Sequence, residues 1–316
     1  MAGADEAEMS GDEQAALQLL HWLDRQDYDF ITITPESHRR VVARASMRQA
    51  KDLRGIFGWS LPFEEGLAGE ELMALLKQGR LLHQSAAGWK SKVRVSRVCG
   101  RLFLHSAFPT DSEDSVFLGP DTSRFVDFIR AEVSAARPQR LIDIGTGAGV
   151  GGIIAGELMG AAKVVLADIN RTALSHARVN AAHAGIDVET VESDGVSSIE
   201  AGFDLAISNP PFIFEEGAPA YRQGGGMHGA ELSLEWTVEA ARKLAPGGRV
   251  LLYTGSAIVD GRDALRERLE RELPALRCSL RWRELDPDIF GEELAKPVYE
   301  DVERIAAIGA VVEKAP

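Results

Sequence analysis

In the second half of the chain the apolar positions fall into short blocks separated by longer periodic stretches. The blocks at 140–144, 163–168, 187–192, 203–208 and 249–254 read as buried strands. Between them, apolar residues three and four apart predict helices at about 149–159, 171–184, 231–244 and 261–271. Buried strands that alternate with helices imply a parallel sheet covered on both faces. Two later blocks, 279–284 and 304–312, lack an intervening helix long enough for a crossover, so an antiparallel pair at one sheet edge is expected. The predicted fold class is α/β, a doubly wound, mostly parallel, seven-stranded Rossmann-like sheet.

The first half is patterned differently. A helix is expected at 12–25, with Leu17, Leu20 and His21 or Trp22 on one side. Residues 31–35 form a turn, and Ser/Thr signals open a long helix over 35–55. On that helix Arg40, Arg44, Arg48 and Lys51 recur every three or four residues and so share a face. A linker at 58–63 and a helix at 69–79, with Leu72, Leu75 and Leu76 inward, follow. Alternation in 92–98 and 102–105, around Cys99-Gly100-Arg101, predicts a β-hairpin with its basic residues exposed. Helices followed by a basic hairpin have the pattern of a winged-helix module. A further helix opens after Phe117–Thr122 and runs to about residue 136, capped by Asp121 or Thr122, with Phe125, Phe128 and Ile129 inward. The expected organisation is a disordered tail at 1–12, a smaller N-terminal recognition domain at 13–110, and a catalytic domain at 111–316 that begins in an acidic junction.

Composition narrows the class. The 316 residues are 45% hydrophobic and 26% charged, as in ordinary globular proteins. No apolar run approaches the roughly 18 residues of a membrane span. An acidic N-terminus without a basic-then-apolar leader points to the cytoplasm. Cys99 and Cys278 are too few for a disulfide framework or a zinc site, and no metal site is expected; both read as buried thiols. The net charge of −13 hides an asymmetry, because residues 38–101 hold 13 Lys/Arg against 5 Asp/Glu. Charge separation of this kind points to a segment that meets an anionic partner, against the simpler reading of solvated faces. The sequence carries no sign of oligomeric state.

The chemistry centres on Phe203–Ser208 and the Asn209-Pro210-Pro211-Phe212 that ends it. Two prolines fix the backbone and supply no N–H, so the strand stops in a stiff, extended corner. Asn209 adds an amide able to accept and donate. Acceptors beside an aromatic face suit a planar group that carries –NH2. Upstream, Asp143-Ile144-Gly145-Thr146-Gly147-Ala148-Gly149 joins a strand to a helix, where bare backbone can meet a ligand. The next strand ends in Asp168-Ile169, at the position of an acid that pairs with ribose hydroxyls, and Asp194-Gly195 follows the third. Gly147, Gly149 and Gly152 also satisfy the dinucleotide pattern, so glycine spacing alone leaves a nicotinamide cofactor open. Asp143 on the strand, Asp194 after the third strand and the diproline corner after the fourth favour S-adenosylmethionine.

Together these elements resemble the class I S-adenosylmethionine-dependent methyltransferases that carry Asn-Pro-Pro-aromatic. That group includes protein glutamine N5-methyltransferases and methyltransferases of RNA and DNA bases. The resemblance covers about residues 116–312. It implies S-adenosylmethionine as cofactor, with Asp143, Gly145, Thr146, Gly147 and Gly149 along its methionine and ribose. Asp168 and Ile169 would hold the ribose, Asp194 and Gly195 the adenine, and Phe117 to Thr122 would close over it. Asn209 and Pro210 would accept the substrate's N–H groups and Phe212 would stack on its plane. The stretch Gly224-Gly225-Gly226-Met227-His228-Gly229 resembles the glycine-rich segment of the glutamine methyltransferases, but His228 stands where an acid is common and reads as a loop residue. The acceptor implied first is a base in ribosomal RNA or another nucleic acid, met by segment 38–101. A release-factor glutamine is the alternative, and a NAD-dependent oxidoreductase is a remote one.

Overall fold

The computed structural model describes residues 9–132, 137–214, 223–289 and 291–316. Helix α1 (Gly11–Arg25) starts in a capping box, with Ser10 and Glu13 each accepting the other's backbone N–H. It therefore includes residues 11 and 12, which were expected in a disordered tail; residues 1–8 lie outside the described ones. Helix α2 (Pro35–Val42) is short, and the long helix expected over 35–55 does not form. Arg44 turns extended (ψ 141°), a 3-10 turn follows, and Asp52 is extended before it caps α3 (Leu53–Phe57) through the Gly55 N–H at 2.7 Å. Tertiary packing wins here: the Ala50 N–H is donated to the Pro62 carbonyl, and a Cβ on Gly55 would lie 2.7 Å from Ala50. Arg40, Arg44, Arg48 and Lys51 consequently share no helix face.

The expected linker at 58–63 is also corrected. Leu61 and Phe63 are buried in the N-terminal core, and Phe63 bridges to Trp89. Helix α4 (Glu65–Gln78) starts earlier than expected and bends at Gly69 (φ 74°). Leu72 and Leu76 point inward with Met73, while Leu75 is half-buried. Two hairpins follow, β1 (Leu82–Ser85) with β2 (Gly88–Ser91), and β3 (Val93–Val98) with β4 (Arg101–Ser106). The second hairpin is where the sequence placed one, but its basic side is not exposed. Arg94 is buried, and Arg97 is held by Asp24, Asp29 and the Tyr28 carbonyl. Cys99, expected buried, is exposed at the hairpin turn, whereas Cys278 is buried.

Helix α5 (Pro120–Ala131) buries Phe125, Phe128 and Ile129. Neither Asp121 nor Thr122 caps it: Gly119 takes that position, and buried Asp121 instead accepts from the Tyr253 hydroxyl at 3.3 Å. The helix ends at Ala131 with Glu132 as its C-cap, short of the expected span, and residues 133–136 lie outside the described ones. Then come β5 (Arg140–Ile144), α6 (Val150–Met159), β6 (Lys163–Asp168), α7 (Arg171–Ala184), β7 (Glu189–Glu192) and β8 (Phe203–Ser208). The chain closes with α8 (Glu231–Lys243), β9 (Leu244–Val259), a two-residue β10 (Arg262–Asp263), α9 (Ala264–Glu272), β11 (Cys278–Asp286) and β12 (Arg304–Lys314).

The central sheet has the order β11-β12-β9-β8-β5-β6-β7, with β10 beside β9. Strands β9, β8, β5, β6 and β7 are parallel, and β12 pairs antiparallel with both β9 and β11, as expected at that edge. Alternation in β8 feeds two cores: Leu205 and Ile207 pack with Phe125 and Ile153 on one face, Ala206 with Leu234 and Leu265 on the other, where Phe203 joins it across a register shift. The N-terminal region docks on the first of these layers. Glu13 grips Arg178 of α7 at 2.7 and 3.0 Å, and Arg101 makes a two-pronged bond to Glu157 of α6. At the centre of this contact Asn180 of α7 is fully buried. Its amide exchanges hydrogen bonds with both the N–H and the carbonyl of Leu104 in β4, and donates to the Ala148 carbonyl at 2.8 Å.

Candidate active site

The chain runs from β5 outward to β6 and β7, then returns to lay β8 and β9 on the other side of β5. Such a reversal opens a crevice at the carboxyl ends of the strands. A cleft of about 1810 Å3 lies there.

The loop after β5 forms its floor. Gly145, Gly147 and Gly149 have φ of 67°, 53° and 81°, a region other residues rarely adopt. Two carboxylates hold this loop in shape. Asp143 accepts from the Thr146 hydroxyl at 2.6 Å and the Gly152 N–H at 2.7 Å; Asp168 accepts from the N–H groups of Gly147 and Asn170, both at 2.9 Å. Burial pushes the Asp143 carboxyl up to about 6 and raises Asp168 as well, against the pull of these hydrogen bonds.

Asp143, Gly145, Thr146 and Gly147 line the cleft, as do Asp168, Ile169 and Asp194. Ile169 is 61% exposed and Phe117 40% exposed, so two large apolar side chains stand at its rim; Thr122 lines the cleft beside Phe117. Gly149 and Gly195 do not line it. A Cβ on Gly149 would press on Ile153 and Ala177, so this glycine lets α6 approach α7. Gly195 lies against the indole of Trp236, and so does Gly145, where Cβ atoms would come within 2.9 and 2.6 Å of the ring. Trp236, half-buried in α8, thus braces two separate loops. Its only trace in the sequence is helical spacing from Ser233 and Ala240, which any core tryptophan shares.

Opposite the floor stands the diproline corner. The Ser208 hydroxyl donates to the Ile144 carbonyl at 3.0 Å and ties the end of β8 to β5. Asn209, Pro210, Pro211 and Phe212 all line the cleft. Asn209 Oδ1 is buried and has no hydrogen-bond partner among the described residues. Phe212 is 8% exposed, its ring set against Gly255. The glycine-rich stretch backs this corner. Gly224 donates to the Ile213 carbonyl at 2.9 Å, and a Cβ on Gly229 (φ 98°) would lie 2.5 Å from the Phe212 carbonyl oxygen. His228 is outside the lining; it turns the chain before α8 and bonds to Asp301 at 3.1 Å.

The mouth of the cleft is acidic, with Glu36, Asp111, Glu113, Asp114, Glu292 and Glu293 around it. Among the described residues its cations are engaged: Arg39 with Glu36, Arg171 with Glu192 and Lys296 with Glu293, at 2.8, 2.8 and 2.6 Å. Asp114 also accepts from Asn170 and Thr172. No helix among the described residues is long and apolar enough to cross a membrane.

The family model of the methyltransferase small domain matches residues 122–271. A release factor glutamine methyltransferase of Deinococcus radiodurans is 30% identical over 55% of this chain and 63% of its own. A ribosomal RNA small subunit methyltransferase C of Hahella chejuensis is 32% identical over 36% of this chain and 30% of its own. The chain thus spans less than two thirds of the length of these relatives. Among solved structures, Trm5b from Pyrococcus abyssi superposes with a TM-score of 0.51 at 13% identity, over 74% of this chain and 62% of that one, a likeness of fold. The matched span holds the glycine loop, both acidic strand ends and the diproline corner, and over that span the chain is similar to the class I S-adenosylmethionine-dependent methyltransferases.

Proposed function

We propose that the protein transfers a methyl group from S-adenosylmethionine to a planar amine or amide nitrogen. The residues of the cleft fit that cofactor. Gly147 offers left-handed, bare backbone, with no atom within 4 Å of where a Cβ would stand. Asp143 and Thr146 would hold the amino-acid end, Asp168 the ribose hydroxyls and Asp194 the adenine amino group. Ile169 would lie on the adenine, and Phe117 and Thr122 would cover the site; Gly149 and Gly195 shape the loops. When bound, the cofactor supplies an electrophilic methyl on sulfur.

The observation that carries the reading is Asn209 Oδ1, buried at the cleft and unpaired among the described residues. A buried acceptor left without a donor is costly, so a ligand N–H is its natural complement. With the Pro210 carbonyl it would take both hydrogens of an –NH2 and aim the nitrogen lone pair across the cleft. Phe212, with little of its surface free, would support the acceptor's plane over a small area. Positioning and electrostatics do the work, and no nucleophile or general base is required. Replacing Asn209 with Ala should abolish most turnover of labelled methyl while calorimetry still finds the cofactor bound. Lost affinity with normal turnover at saturation would sink the assignment.

The acceptor could be a nucleobase, a reading supported by the +8 segment 38–101 and by the ribosomal RNA relative. Such a base would have to be single-stranded or flipped from its stack. The acid-lined mouth, whose cations among the described residues are already paired, favours instead an amide on a protein, because it repels phosphates. We place the reaction in the cytoplasm, with residues 13–110 as the docking region for either acceptor. Labelled cofactor added to extract from a deletion strain decides between them: label in RNA selects the base, label in protein the amide. Filter binding in rising salt gives a second check, since phosphate contacts weaken steeply with salt.

A further inference from the structure

Most cations of the N-terminal region are matched. Arg39 and Arg40 meet Glu36, Arg54 meets Asp29, Lys77 meets Glu65, Arg80 meets Asp12, and Arg101 meets Glu157. Among those with no ion pair in the described residues, Arg94 stands apart because it is buried. It sits in β3 with 4% of its surface exposed, and its Nε and Nη2 are buried without a partner among the described residues. Its guanidinium lies 5.4 Å from the centre of the Phe30 ring. Opposite it across the hairpin, His105 is committed to Ser96 at 2.8 Å, and Ser96 to Thr32.

His38 has the same deficit. It is 1% exposed, and neither ring nitrogen has a partner among the described residues; the Trp59 carbonyl approaches it outside hydrogen-bonding geometry. The ring is wedged between Phe108, 4.1 Å away, and Trp59, 5.5 Å away. Burial draws the Arg94 guanidinium down to about 10. Burial and then the charges of Arg94 and Lys90 draw His38 down to about 4. His38 is thereby held neutral, and Arg94 keeps its charge with no carboxylate paired to it among the described residues, an arrangement that a fold normally avoids.

The free atoms of Arg94 have a meaning. Nε and Nη2 form the edge of a guanidinium that grips two oxygens at once. Arg101 uses that edge on Glu157, and Arg262 uses it on Glu267 at 2.9 and 2.7 Å. We propose that Arg94 and His38 form a buried oxyanion site, distinct from the cleft, that takes one small phosphate or carboxylate on the Nε–Nη2 edge. A nucleic-acid backbone does not fit a site this enclosed, so the occupant is a free small anion or an anionic end group. Occupancy would reach the cleft through one contact, because the ring that stacks on His38 belongs to Phe108, which lines the cleft with Pro35 and Arg39.

The test uses the full chain with inorganic phosphate and, separately, acetate as probes. In wild type, Tm rises with the logarithm of anion concentration, and calorimetry finds one site. Arg94→Met removes that dependence, yet is at least as stable as wild type in anion-free buffer, since an apolar side chain replaces an unpaired buried charge. His38→Phe keeps the aromatic stack and weakens binding about tenfold, the loss of one charge-assisted hydrogen bond. A wild-type Tm indifferent to both anions overturns the proposal, and so does anion stabilisation that survives in Arg94→Met. Methyl-transfer kinetics separate the sources. If phosphate competes with the acceptor, and Arg94→Met raises KM without changing kcat, the site takes an end group; unchanged KM with the Tm effect intact marks a free anion. Neither Tm nor calorimetry depends on methyl transfer, so failure of that reading leaves this test standing.

Discussion

The diproline corner and the core of the N-terminal region share a defect of opposite sign. At the corner, a neutral acceptor, Asn209 Oδ1, is buried with nothing to receive among the described residues. In the N-terminal core, a charged donor, Arg94, is buried with two of its nitrogens finding no acceptor there. An unpaired amide oxygen costs a few kcal/mol at most, and the open cleft beside it lets a ligand or water relieve it. An unpaired guanidinium stripped of its hydration costs several kcal/mol. The lesson is that a neutral vacancy can remain idle until a substrate arrives, whereas a charged one calls for a permanent or high-affinity occupant.

The largest expected effect tests the first half of that contrast. Asn209→Ala should lower kcat by about a hundredfold to a thousandfold, the cost of removing one aimed electrostatic group. Cofactor affinity should stay within a few-fold, and a turnover near wild type would show that the orphan acceptor is idle for another reason.

Next comes pH. The folded pKa of Asp143 is about 6 against an ordinary 3.8, so between those values the folded protein keeps a proton that the unfolded chain has lost. Stability contributed by this group therefore falls as pH rises through that window. Cofactor binding should run the other way, because the ammonium end needs the ionised carboxylate. Affinity is expected to fall about tenfold per pH unit below 6 in wild type, and Asp143→Asn should flatten the profile. A wild-type profile already flat in titration calorimetry would free Asp143 from that role.

A smaller effect concerns what holds the corner in place. Gly229→Ala forces a Cβ against the Phe212 carbonyl at a positive φ, and should cost about 2 kcal/mol of stability. Turnover should fall more than cofactor affinity, as the corner shifts while the glycine loop does not. At the bottom of the scale, Arg80→Ala breaks an exposed pair with Asp12 and should change stability by less than about 0.5 kcal/mol. That variant calibrates the Arg94→Met experiment, since both delete one positive charge from the same region.

The sheet was legible because its central strands are buried on both faces and read as apolar blocks. Lys163–Asp168, Phe203–Ser208 and Arg171–Ala184 have the bounds their patterns predict. What failed depended on partners far away in the chain. The helix expected over 35–55 breaks because Ala50 is drawn to Pro62 and Asp52 caps a new start. The hairpin's arginines read as exposed because alternation in a strand separates two faces without saying that both are covered. Here α1 and its neighbours cover the second one, with Asp24 and Asp29 supplied from before residue 30. In the cleft, residues next to glycine or proline turns could be named in advance. Trp236, which presses on two loops from a helix elsewhere, could not.

Asn180 gives these two regions a common fastener. A single amide replaces a missing strand neighbour for Leu104 and, through its other hydrogen, pins the carbonyl of Ala148. A macromolecule that tugs on β4 while docking would thus pull the glycine loop through one residue of α7. Asn180→Leu should cut this line. Its cost of about 3 kcal/mol, one for each hydrogen bond lost, would come with looser cofactor binding even though residue 180 never reaches the cleft.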